Sequence, residues 1–139
     1  ITCHSLHIPT EYGFLEEEFG LPLGIKNYEG LVMQIISHAG TARSLMRTVL
    51  QESRNPGFTR AALEERLREA DAELVEAHKA QTELIQLEAR GEGLAVAIIL
   101  VHAQDILMTA LSERDLVAEI IDLRMSLAVA AENRAEQAK

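Results

Sequence analysis

The sequence predicts an all-α protein, built as an antiparallel, up-down-up three-helix bundle. Two long stretches carry apolar residues in alternating steps of four and three, the period of one helix face. Pro and Gly clusters separate them from each other and from a third stretch, which holds neither residue between about Leu94 and Asn133. Short connections between long helices set successive helices side by side and antiparallel.

Residues 1–30 are expected to form an irregular N-terminal extension. They hold Pro9, Pro22, both tyrosines, glycines at 13, 20 and 24, and the run Glu16-Glu17-Glu18, with no sustained helical period. Residues 31–139 are the expected helical domain, although its first stripe already opens at Tyr28. That stripe runs Tyr28, Val32, Ile35, Ala39, Ala42, Met46, Val49. It stops at Asn55-Pro56-Gly57, because proline cannot continue a helix. The second stripe runs Leu63, Leu67, Ala70, Leu74, Ala77, Gln81, Leu84, and Gly91-Glu92-Gly93 ends it. On the third helix, at about 100° per residue, Leu100, Ala103, Leu107, Ala110 and Leu111 fall on one side. That side faces the helix's own bundle.

Composition agrees with packed helices. The 139 residues are 47% apolar, yet include three Phe, two Tyr and no Trp, so Ala and Leu supply the bulk. A length of this order suits one domain. The net charge of −9 argues against nucleic acid or an anionic membrane as partner. The longest apolar run, Leu94 to Val101, is far short of the roughly 20 residues that cross a bilayer. No basic-then-apolar leader opens the sequence, so a cytoplasmic protein without direct membrane insertion is expected. A single cysteine, Cys3, forms no internal disulfide.

The third helix has a second seam: Ile98, His102, Asp105, Thr109, Ser112, Leu116, Ile120, Leu123 and Leu127, in steps close to those of a coiled coil. One bundle buries one side of each helix. Leaving the large apolar residues of this seam wet would forfeit roughly 1.5–3 kcal/mol for each. The economical outcome is association through this face.

His102 and Asp105 stand at i and i+3 in the middle of that seam. A neutral imidazole is a competent nucleophile near pH 7, its unperturbed pKa being about 6.5. The plainer reading of a lone histidine beside an apolar face is a packed residue with one hydrogen bond. Copies of Asp105 meeting at a symmetry axis would need a shared divalent cation or shared protons, since like charges cannot all stay ionised uncompensated. Local opening of the seam to water is the other reading.

Four segments resemble one family. Val101-His102-Ala103-Gln104-Asp105-Ile106-Leu107-Met108-Thr109 looks like the phosphorylation-site segment of the lactose/cellobiose/chitobiose IIA components of the bacterial sugar phosphotransferase system. Glu76-Ala77-His78-Lys79-Ala80-Gln81-Thr82 resembles the family's mid-helix segment, Ala39-Gly40-Thr41-Ala42-Arg43-Ser44 its first helix, and Gly91-Glu92-Gly93 its second turn. The resemblance spans about residues 31–127, in order. It implies a three-helix bundle assembled as a homotrimer. The activity it implies is a phosphocarrier that takes a phosphoryl group from phospho-HPr onto a histidine and passes it to a cysteine of the IIB component. By the same resemblance His102 is the phosphorylated residue, and Asp105 the ligand of a metal shared by the trimer. Oxygen-only ligation suits Mg²⁺. One departure stands out: Ile106 occupies the place where members usually carry a second histidine.

Stabilisation of the transferring group is expected from across the subunit boundary, from Gln104 or from the partner, with His78 in a supporting or structural place. The positive end of the third helix, placed about two turns before His102, is too distant to help much. His38 is expected at a surface or packing edge. Cys3, His4 and His7 have metal-like spacing but no second pair of ligands nearby. The alternative function is a non-catalytic trimeric helical adaptor derived from the same family, favoured only by Ile106.

Overall fold

The computed structural model describes residues 28–55, 57–91 and 96–138. Every described element is helical: α1 (Tyr28–Glu52), α2 (Arg60–Ala89) and α3 (Ile98–Gln137). The expected extension lies outside the described residues, except that Tyr28 to Gly30 open α1.

Each helix ends where local chemistry stops it. The Thr59 hydroxyl accepts the Ala62 amide at 3.3 Å and so caps the start of α2. Gly91 follows α2 with φ of 80°, a conformation that costs glycine nothing, and its amide donates to the Glu88 carbonyl at 2.9 Å. At the end of α1, Ser53 is buried, and Arg124 of α3 donates to its hydroxyl and to the Leu50 carbonyl, the latter at 2.9 Å. The Leu50 carbonyl near the end of α1 thus accepts from both the Ser53 hydroxyl and α3.

α1 lies against both other helices, and its stripe is buried as the spacing requires, with only Tyr28 half-exposed. The stripe of α2 is buried except at Gln81, where the core position moves to the adjacent Ala80. On α3 the core takes Ala103, Leu107 and Ala110, with Leu100 and Leu111 half-buried. Val117 and Ile121 prolong that face by about three further turns.

Cross-helix pairs fix the register. Between α1 and α2, His38 Nδ1 donates to Glu73 at 2.7 Å and Arg66 meets Glu52 at 2.7 Å. Between α2 and α3, Arg114 clamps Asp71 through two bonds of 2.7 and 2.8 Å, and Arg60 reaches Asp122 at 2.8 Å. Between α1 and α3, Arg43 clamps Glu113 at 2.8 and 2.6 Å. These pairs are exposed or partly exposed, so each adds little, and apolar burial carries the fold.

Two places depart from expectation. α3 begins at Ile98 rather than near Leu94, because Ala97 is extended and supplies no side-chain cap. His102 is therefore the fifth residue of the helix, little more than one turn from its positive end. At the other end α3 continues four residues past Asn133, and every described residue from Ser126 onward is exposed.

Candidate functional site: the outer face of the third helix

The outer face of α3 is apolar and uncovered in the single chain. Ile98 is 88% exposed, Leu116 62%, and Leu123 and Leu127 60% each. Of the seam residues only Ile120 is half-buried. No described helix is long and apolar enough to cross a membrane.

His102 and Asp105 both project from this face and are exposed. Neighbouring turns of one helix bring them to one side. His102 has a clear approach from solvent, the condition for meeting a phosphoryl donor. Among the described residues no three His, Cys, Asp or Glu side chains of one chain are grouped to hold a metal. Asp105 offers a single carboxylate, so a cation bound there would draw its other ligands from further copies or from water.

Gln104 lies elsewhere. Two residues from His102 along the helix, it points to the far side, where it accepts a hydrogen bond from the Gln81 side chain of α2. His78 is exposed on α2 and lines a groove of about 950 Å³ between α2 and α3, floored by Leu74 and Leu111. Neither reaches His102 of its own chain. Ile106 is half-buried and packs against the core. His38, tied to Glu73, is a link between helices. Cys3, His4 and His7 lie outside the described residues.

Sequence reasoning missed the ion pairs that border the site, above all Arg43 with Glu113. Arg43 and Glu113 are 70 positions apart, and no helical spacing links them.

A helical bundle that exposes an imidazole and a carboxylate on an otherwise apolar helix face has the form of a small carrier protein working through its surface. The chain belongs to the family described as the lactose/cellobiose-specific IIA subunit of the phosphotransferase system, which matches residues 30–125. It is 41% identical over 95 residues to the lichenan-specific phosphotransferase enzyme IIA component of Bacillus subtilis, covering 68% of this chain and 84% of that protein. It is also 41% identical over 100 residues to the N,N'-diacetylchitobiose-specific EIIA component of Escherichia coli, covering 71% of this chain and 84% of the relative. The crystal structure of the cellobiose-specific enzyme IIA from Bacillus anthracis superposes with a TM-score of 0.70 at 39% identity, covering 76% of this chain and 95% of that one.

Proposed function

We propose that His102 accepts a phosphoryl group from phospho-HPr and passes it to a cysteine of the IIB component. As a IIA component, the chain serves as phosphocarrier in the uptake and phosphorylation of a disaccharide. The observation that carries the assignment to His102 is its place: exposed, on the outer apolar face of α3, in the segment that resembles the family's phosphorylation site.

In the first step a lone pair of the imidazole forms the N–P bond as the donor's bond to phosphorus breaks in line. In the second, the cysteine sulfur takes the phosphorus and the imidazole leaves. Nε2 is the attacking atom, because Nδ1 lies nearer the helix backbone, where a donor would be crowded. The transition state is loose, so positioning and charge stabilisation dominate. With α3 starting at Ile98, the positive helix end lies about one turn away and adds to that stabilisation more than an earlier start would have allowed.

The same reading makes the protein a cytoplasmic homotrimer of antiparallel up-down-up bundles. The expected division, an extension over 1–30 and the IIA domain over 31–139, goes with it. The exposed seam from Ile98 to Leu127 supports axial packing of α3 from each copy. Gln104 and His78, both turned from His102 in their own chain, would then act across the subunit boundary. Asp105, on the seam, would meet its two symmetry mates and hold one shared Mg²⁺, which would neutralise the converging carboxylates. The residues fit such an ion only as a set of three copies, each giving hard oxygen donors.

The adaptor alternative rests on Ile106 alone. That side chain packs on the chain's own core, so an apolar residue there has a packing explanation.

Incubation with phosphoenolpyruvate, enzyme I and HPr tests the function. The protein should take up one phosphoryl group per chain, lost in acid and kept in alkali, as phosphohistidine behaves. Absence of labelling under conditions where HPr is fully phosphorylated would refute the carrier role.

A further inference from the structure

Gly40 stands in the middle of α1, where glycine forfeits helix stability relative to alanine. Its conformation does not call for glycine, since among the described glycines Gly91 is the one with a positive φ. Space does not call for it either: a Cβ at Gly40 would meet nothing within 4 Å. The residue is exposed, and no described part of its own chain uses the missing side chain. A bare helix position has one further use, which is to let another surface close on the backbone.

The place of Gly40 says which surface. Arg43 pairs with Glu113, and the Leu50 carbonyl with Arg124, so α1 and α3 run side by side in the same sense. Stepping back along both helices from the Arg43–Glu113 pair sets Gly40 level with Ala110, Ile36 with Ile106, and Met33 with Ala103, the neighbour of His102. On α1, Gly40 is turned roughly 60° further from the core than Arg43. On α3, His102 is turned roughly 40° from the line of Ile98 and Leu116 toward Ile106 and Glu113, the flank next to α1. Between the two lie Ile36 and Ile106, both half-buried against the core, with Met33 exposed beside them. Gly40 is about 12 Å along the axis from His102 and roughly 9 Å across, or about 15 Å in all. A protein that brings phosphorus within bonding distance of His102 also rests on the surface around it. An ordinary footprint of about 800 Å² reaches roughly 16 Å from its centre, so Gly40 falls at its edge.

We propose that Gly40 is a specificity-determining position for the phosphoryl transfer: the donor protein closes on the bare α1 backbone there, and a side chain would prop it away from His102. This rests on the carrier role proposed above and adds a residue of another helix, about 15 Å from the imidazole, on which the transfer depends. The helix gives up stability at Gly40 and gains a closer approach.

Initial rates of labelling against phospho-HPr concentration test it in the full-length wild type, Gly40→Ala, Gly40→Leu and Gln34→Leu. Gln34 is exposed on α1 but turned roughly 120° from Gly40, so it controls for added apolar surface. Gly40→Ala should unfold at a higher temperature than the wild type, and sedimentation equilibrium should give all four the same mass. The KM for phospho-HPr should rise about threefold with Ala and tenfold or more with Leu, as a side chain is forced into a close contact. The rate at saturating phospho-HPr should change little, and Gln34→Leu should behave as the wild type. A labelled wild type with unchanged KM in both Gly40 variants overturns this inference and leaves the carrier role standing. Lower stability of Gly40→Ala assigns the glycine to the fold, and a changed mass assigns it to contact between copies; either result overturns the proposal. An unlabelled wild type refutes the carrier role, and this inference with it.

Discussion

The two faces of α3 have similar apolar content and opposite fates. The inner face, Ala103, Leu107, Ala110, Val117 and Ile121, is buried by the chain's own α1 and α2. The outer face, Ile98, Leu116, Leu123 and Leu127, has only solvent in the single chain. His102 and Asp105 are found on the second face. An apolar helix face that its own fold does not use is maintained at a cost in solubility, and such faces mark contact with other molecules. The inner face makes the fold, while the outer face carries the proposed phosphorylation site.

The largest contrast follows from cutting into each face. Leu107 is fully buried, so Leu107→Ala should cost about 2–5 kcal/mol of stability, read as a lowered urea midpoint. Leu116→Asp or Leu123→Asp should leave the helical signal in place and reduce the mass in sedimentation equilibrium to that of one chain. A change at Leu123 that unfolds the chain, or one at Leu107 that only dissociates it, would dissolve the distinction between the faces.

A smaller effect sharpens the account of the outer face. In the proposed homotrimer, Asp105→Leu should give a folded assembly at least as stable as the wild type, because carboxylates proposed to converge are replaced by apolar contact. A marked loss of trimer in metal-free buffer would mean that Asp105 stabilises the assembly by a direct bond.

The smallest effect concerns the border between the faces. Arg43 hydrogen-bonds Glu113 and, outweighing partial burial, holds its carboxyl below the ordinary value of 4.5. Because the folded-state value is depressed, the contribution is present above about pH 4.5 and is lost as pH falls through the depressed value. Glu113→Gln should therefore destabilise the protein by no more than about 1 kcal/mol at pH 7. In urea titrations at pH 3 the difference should shrink.

The fold was legible where periodicity alone decides it. Each apolar residue of the α1 stripe is buried apart from Tyr28, and the breakers after α1 and α2 stand where those helices end. Legibility ended where a polar residue interrupted the pattern. Arg114 falls between Ala110 and Val117 on the inner side of α3, and its clamp on Asp71 lets the core resume beyond it, so the inner face runs further than the apolar spacing implied. The start of α3 was misplaced because residues such as Val96 and Ala97 fit an apolar helix pattern as readily as the non-helical backbone they adopt. His102 and Asp105 were legible as sharing one helix face, because residues three apart on a helix lie on one side. Gln104, expected to support His102, is turned away by the helical angle between them, and its bond to Gln81 depends on how α2 approaches, which a single sequence does not encode.

The most direct test of the central claim is labelling of His102→Ala with enzyme I, HPr and phosphoenolpyruvate, beside the wild type, His38→Ala and His78→Ala. His102 is exposed and outside the core, so its removal should preserve helicity and trimer mass. The account predicts no phosphoryl group on His102→Ala and acid-labile label on the other three, slower with His78→Ala if that side chain helps across the boundary. Undiminished labelling of His102→Ala would contradict it.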